Sequence, residues 1–286
     1  NFGVIVVVSL ADYVAKVVVS DMKMNVTDSV ETRVDKYDIK MLYELVLTVK
    51  NLLSSPKYRD IPLLGIDLSV PGKVNTQTGE LQLSPQFDKD IFSEKNAIAN
   101  LFKKQFGAPV VMTNDINLAG LGEMYDGLLK GVENGMLVHV DEGVGGALIL
   151  NGKLFVGSQG FGGEVGLMRT VFRGKNDYLD EFVSLRAIKD ELSKTRGTKL
   201  KTQDVAELYK TEADVRSYVN DTAVCLGSVL KDIVELLNIS TIVLSGRIEQ
   251  FGERYLQLVA AEVSKSINSC NVVYSKLGRN ASVIGA

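Results

Sequence analysis

A chain of 286 residues, 45% hydrophobic and 23% charged, is long enough for one large domain or two lobes around a cleft. Its net charge of −3 and pI near 5.4 argue against nucleic-acid binding by these residues as the main activity. No apolar run approaches the ~18 residues needed to cross a membrane. Two cysteines, Cys225 and Cys270, and the lone His139 cannot assemble a local zinc site, which needs about four Cys or His ligands. The cysteines read as buried apolar filler in a reducing cytoplasm.

Val4–Val8 and Val14–Ser20 are β-branched runs around a short turn, and Met24–Val34 continues the meander. Asp38–Ser54 has helical period, with Ile39, Leu42, Leu45, Val46 and Val49 on one face. Ile61–Leu68 predicts a buried strand, and Ser69-Val70-Pro71-Gly72 a turn out of it. A helix over Ser93–Phe106 ends at Gly107-Ala108-Pro109.

A second lobe begins after Val110–Thr113, which gives lobes of residues 1–113 and 114–286, the last segment being free to pack back on the first. Asn117–Tyr125 predicts a helix. Met136–Val140 and Ala147–Leu150 predict a hairpin pair, and His139 is then a strand residue rather than a general base. Leu179–Thr195, Thr202–Lys210, Asp214–Leu237 and Phe251–Ser266 read as helices. Thr241–Leu244 and Val272–Tyr274 read as strands. This order predicts two related α/β lobes.

Asn114-Asp115 falls between a strand and a helix, where side chains project from the carboxyl ends of strands. An aspartate there suits proton acceptance from a hydroxyl. Asn and Asp are also favoured helix caps, and the cap is the simpler reading of the local chemistry.

Several segments together resemble the ROK family, whose name joins repressors, open reading frames and sugar kinases. They are Gly65–Val74, Ser84-Pro85-Gln86-Phe87, Asn114-Asp115-Ile116-Asn117, Gly163-Glu164-Val165-Gly166 and Ala281–Ala286. The resemblance implies the two-lobed actin-like, ribonuclease-H-like ATPase fold of sugar kinases, with an interlobe cleft. It implies sugar contacts from Pro71, Gly72, Asn114, Asp115, Glu164 and Asp180, with Asp115 the catalytic base if the chain is a kinase. A homodimer is likewise implied.

Three departures from the family bear on activity. The kinases' Asp-x-Gly-Gly-Thr phosphate loop corresponds to Val8-Ser9-Leu10-Ala11-Asp12, which has no glycine, so side chains block close backbone approach. The second phosphate loop, Gly-Thr-Gly in relatives, corresponds to Asp141-Glu142-Gly143. At ~5 Å and an effective dielectric near 20, each carboxylate repels a phosphate charge by about 3 kcal/mol before screening. Leu167 stands where relatives place a zinc-binding histidine, and Arg169–Lys175 has no cysteine. Zinc is therefore not expected.

The resulting expectation is the effector-binding and dimerisation part of a cytoplasmic ROK transcriptional regulator that takes a sugar or sugar phosphate. It needs no cofactor and has no contact with membrane. The chain opens at Asn1 rather than methionine, so DNA contact is assigned to an N-terminal helix-turn-helix module outside this sequence. The alternative is a sugar kinase that uses magnesium-ATP and Asp115. Ser245-Gly246-Arg247, where kinases turn against adenosine, reads as a strand-to-helix turn with a bulky arginine.

Overall fold

The structure is a computed structural model that describes residues 2–11, 13–84, 86–93 and 96–286. Asp12 and Pro85, singled out in the sequence, lie outside the described residues. Two compact units divide the chain. The first comprises Asn1–Gly122, Val156–Phe161 and Asn280–Ala286, and the second Glu123–Phe155 and Gly162–Arg279.

Unit 1 opens with strands β1 (Val4–Ala11), β2 (Val14–Asp21) and β3 (Val26–Arg33), followed by helix α1 (Ile39–Leu53). Then come β4 (Leu63–Val70), a small hairpin of β5 (Lys73–Asn75) and β6 (Glu80–Leu83), α2 (Ala97–Phe106), β7 (Val110–Asn114) and α3 (Asp115–Asp126). The main sheet has the order β3-β2-β1-β4-β7. β1 pairs antiparallel with β2 and parallel with β4, which is parallel to β7.

Alternation along β1 sends Val4, Val6, Val8 and Leu10 into the unit's core, where α1 buries Met41, Leu42, Leu45, Val46 and Val49. Ile39, expected on that face, is 49% exposed. It begins the helix one residue after the Asp38 cap, whose carboxylate accepts the Met41 N–H at 2.8 Å. The predicted helix over 93–106 begins only at Ala97, after Asn96 takes a left-handed φ of 57°.

Unit 2 repeats the plan. β8 (Gly135–Val140), β9 (Val144–Leu150) and β10 (Lys153–Phe155) form an antiparallel meander, and a second hairpin joins β11 (Arg169–Phe172) to β12 (Lys175–Tyr178). Helices α4 (Asp180–Val183), α5 (Leu185–Arg196), α6 (Thr202–Thr211) and α7 (Ala213–Leu237) precede β13 (Thr241–Ser245), α8 (Gly252–Val263) and β14 (Asn271–Tyr274). The order β10-β9-β8-β13-β14 matches that of the first sheet, with β8, β13 and β14 parallel. The single helix expected over 179–195 is broken at Ser184, whose extended backbone lets its hydroxyl accept the Ala187 N–H at 3.1 Å and cap α5.

The last helix, α9 (Ala281–Gly285), belongs to unit 1. It packs on β1, and Ser282 and Ser9 share a buried hydroxyl–hydroxyl bond of 3.2 Å. Gly122 of α3 lies against the Ala281 carbonyl, and Gly285 against that of Leu118. The unit boundary therefore falls inside α3, not at the 113/114 junction read from the sequence. Among the described residues, no helix is long and apolar enough to cross a membrane.

Candidate functional site

The expected ligand residues fall in both units. In unit 1, β4 and β7 run parallel with Val70 opposite Asn114, so both strands deliver their carboxyl ends to one place. Pro71-Gly72 leaves β4 there. Gly72 has φ 128°, and a Cβ at that position would collide with the Leu83 carbonyl, so the turn requires glycine.

Asn114 ties this corner together. Its Nδ2 donates to the Gly72 carbonyl at 2.8 Å, and its Oδ1 accepts the Asn117 N–H at 2.9 Å, capping α3. Asp115 Oδ1 accepts from the Ile116 N–H at 3.0 Å and from Asn114 Nδ2 at 3.2 Å. The cap thus belongs to Asn114, and the buried Asp115 carboxylate, which has up to four acceptor positions, stands beside the Gly72 turn.

Asp67 sits on β4 upstream of the turn. Its Oδ1 and the Ser69 hydroxyl are buried with no hydrogen-bond partner among the described residues. Burial pushes the Asp67 carboxyl up to about 6. The sequence reading passed over it, although an aspartate inside the apolar run Leu63–Val70 was itself the signal.

At the first phosphate-loop position, the β1–β2 ladder continues to the pair Ala11–Val14. Tyr13 donates its N–H to the Tyr37 hydroxyl at 2.9 Å and stacks on that ring at 5.5 Å.

In unit 2, Asp141-Glu142-Gly143 joins β8 to β9. Three N–H donors around this loop, those of Asp141, Glu142 and Val144, are taken by protein acceptors. Asp141 N–H donates to the Gly143 carbonyl at 2.8 Å and Glu142 N–H to Asp141 Oδ1 at 2.8 Å. Val144 N–H donates to Asp180 Oδ1 at 2.6 Å.

Arg247 then pairs with both acids. Its backbone N–H donates to Asp141 Oδ2 at 3.0 Å, its Nε to both oxygens at 2.9 Å, and its Nη2 to Asp141 Oδ1 and, at 2.9 Å, to Glu142 Oε1. These bonds, led by the one to Asp141, raise the arginine's pKa. Gly246 makes the turn possible, with φ 93° and no room for a Cβ beside the Val140 carbonyl. No local pattern beyond opposite charge predicts this pairing, since the residues are 106 positions apart.

Asp180 has protein partners on both oxygens, Val144 N–H on Oδ1 and Arg186 Nη2 at 2.7 Å on Oδ2. Glu164 is exposed at the start of a short turn in which the Leu167 N–H donates to its carbonyl at 3.1 Å. Where relatives are expected to carry zinc, this chain forms the β11–β12 hairpin, anchored by Phe172 against Phe182 and Tyr218. Among the described residues, no group of three or more His, Cys, Asp or Glu side chains is arranged to hold a metal ion. His139 Nδ1 lies 3.0 Å from the Ser245 hydroxyl on the neighbouring strand.

Repeated sheets of this order, with the helix pattern around them, define the actin-like, ribonuclease-H-like fold of sugar kinases and their regulators. The profile of the ROK family matches residues 13–286, and the chain belongs to that family. It is similar to a xylose repressor of Caldicellulosiruptor bescii, 24% identical over 278 residues that cover 86% of this chain and 66% of that protein. A glucokinase of Halalkalibacterium halodurans is 26% identical over 251 residues, covering 78% and 74%. A crystal structure of a ROK family transcriptional regulator, homolog of the E. coli MLC protein, superposes with a TM-score of 0.83 at 17% identity, covering 99% of this chain and 76% of that one. The chain thus spans just under two thirds of the length of that xylose repressor.

Proposed function

We propose that this chain is the effector-binding and dimerisation part of a ROK transcriptional regulator, and that it does not phosphorylate its sugar. The carrying observation is the Arg247–Asp141–Glu142 network. A phosphate-binding loop works through free backbone N–H donors and positive potential. Here the donors of Glu142 and Val144 are taken by Asp141 and Asp180, and the Arg247 guanidinium is spent on carboxylates. The pairing of β1 with β2 as far as Ala11–Val14 supports the same reading, as do the repressors among its relatives. The residues present do not fit a magnesium-bound polyphosphate.

The effector is a sugar, held through Asn114 and Asp115 at the Gly72 turn, with Asp115 as a hydroxyl acceptor rather than a base. Asp180 acts through the Val144 loop, which it anchors. Binding biases one of two states of a homodimer, and DNA is contacted by a helix-turn-helix module of a longer chain.

Thermal unfolding with and without ~10 mM magnesium-ATP tests the reading. A nucleotide site with a dissociation constant of ~0.1 mM would add about 2.7 kcal/mol of stability. We expect no shift with ATP and an upward shift with a sugar. The kinase alternative is favoured by the retained Asn114-Asp115 geometry and by the glucokinase relative. It takes over if ATP stabilises the fold and Asp115→Asn abolishes phosphorylation.

A further inference from the structure

The sheet of unit 1 has a second face, opposite the core that α1 covers, and it carries a row of polar side chains. β1 turns Val6, Val8 and Leu10 into the core, so Val7 and Ser9 lie on the other face. By the same alternation β4 buries Ile66, Leu68 and Val70 in the core and turns Asp67 and Ser69 away from it. Ser9 stands opposite Ser69, and Ser69 opposite Thr113, while Val7 and Val111 flank Asp67. α9 lies on this face, where Ser282 bonds Ser9.

Two oxygens in that row lack partners. Ser69 is 0% exposed, and neither its hydroxyl nor Asp67 Oδ1 has a hydrogen-bond partner among the described residues. Polar atoms buried in this way are ordinarily satisfied by protein or by a small occupant. Neighbours on one face of a strand are ~6.6 Å apart at Cα, a gap that one atom shared between a carboxylate and a hydroxyl can fill. Asp67 is also isolated as a charge. Burial raises its pKa, and no charged side chain contributes to that shift. Val111, beside it on the edge strand β7, is 59% exposed, which leaves an approach from solvent.

We propose that Asp67 and Ser69 together hold an alkali-metal cation, sodium or potassium, in this seam. One carboxylate brings one negative charge, which a monovalent ion cancels. Calcium takes about six to eight oxygens, commonly from several acids, and magnesium demands a near-octahedral set. Among the described residues, no group of three or more His, Cys, Asp or Glu side chains is arranged to supply either. A bridging water would satisfy both oxygens but leave the buried charge uncompensated. The ion completes its shell with hydroxyls of the same row and with water entering past Val111. It braces β4, the strand that leads to the Gly72 turn, and the site does not depend on the effector reading.

The test is thermal unfolding of the wild type, Asp67→Asn and Ser69→Ala in sodium, potassium or choline chloride at one ionic strength. We expect the wild type to melt higher with one or both metal ions than with choline, which is too large to enter. The difference should vanish in Asp67→Asn and shrink in Ser69→Ala. Proton and ion compete for the same carboxylate. The Asp67 titration, centred at about pH 6 in choline, should therefore move down by about one unit for each tenfold excess of ion over its dissociation constant. Equal melting of the wild type in all three salts overturns the proposal and leaves water as the occupant. A gain from sodium or potassium that survives in Asp67→Asn also overturns it, because the ion then binds elsewhere. Should both variants fail to fold, a rubidium-soaked crystal of the wild type decides. An anomalous peak between Asp67 and Ser69 supports the site, and its absence overturns it.

Discussion

Arg247 meets Asp141 through its backbone N–H as well as its guanidinium, so one residue supplies both kinds of donor to a carboxylate that is only 2% exposed. Removing the cation strands a buried charge, which costs far more than the pair contributes. Arg247→Met should destabilise the chain by about 3–5 kcal/mol. Adding Asp141→Asn should recover a large part of that loss. Urea unfolding of the two single variants and the double variant measures the coupling.

Asp67 makes stability depend on pH. Its carboxyl is pushed up to about 6 in the folded state, against 3.8 in the open chain. The folded chain therefore holds a proton that the unfolded chain has released, and stability declines as pH rises from about 4 through 6. The shift is worth about 3 kcal/mol at most. Asp67→Asn should flatten the slope between pH 4 and 7 and raise the melting temperature at pH 7, as followed by thermal melts across that range.

Asn114 joins two elements with one amide. Asn114→Ala uncaps α3 and leaves the Gly72 carbonyl unbonded. The expected loss is about 1–2 kcal/mol, together with weaker sugar binding. A variant that kept full stability would show that the corner is held by other contacts.

Asp180 distinguishes a structural carboxylate from a ligand contact. Asp180→Ala frees the Val144 N–H and one arm of Arg186. We expect about 1–3 kcal/mol of destabilisation and, at a temperature where the variant is folded, a smaller change in sugar affinity than Asn114→Ala gives. The reverse ranking would make Asp180 a ligand contact.

The fold was largely legible because its strands are β-branched runs and its helices keep a 3.6-residue period. The run Val4–Val8 and the stripe from Leu42 to Val49 needed no tertiary information to place. The two small hairpins were missed because Lys73–Asn75 and Lys175–Tyr178 are short and mostly polar, and the apolar residues that anchor the hairpins, such as Val74 and Phe172, are single positions with no run around them. The motif around Asn114 was visible, since its partners lie close in sequence or at a Pro-Gly turn. What Arg247 does to Asp141 was not, because the register of β13 on β8 brings them together and no local pattern encodes it. Asp180 was likewise assigned a ligand role that gave no sign of its bonds to Val144 and Arg186.

The bond between Ser9 and Ser282 has a consequence for synthesis. The first strand of unit 1 receives its covering helix from residues 273 positions later. When the ribosome has delivered Gly122, the sheet of unit 1 has all its strands but not α9. At ~5–20 residues per second the wait is on the order of ten seconds. Throughout it, the face of β1 that bears Val7 and Ser9 lacks its final cover. The nascent chain is therefore most exposed to chaperones, and to misassembly, through the half that was made first.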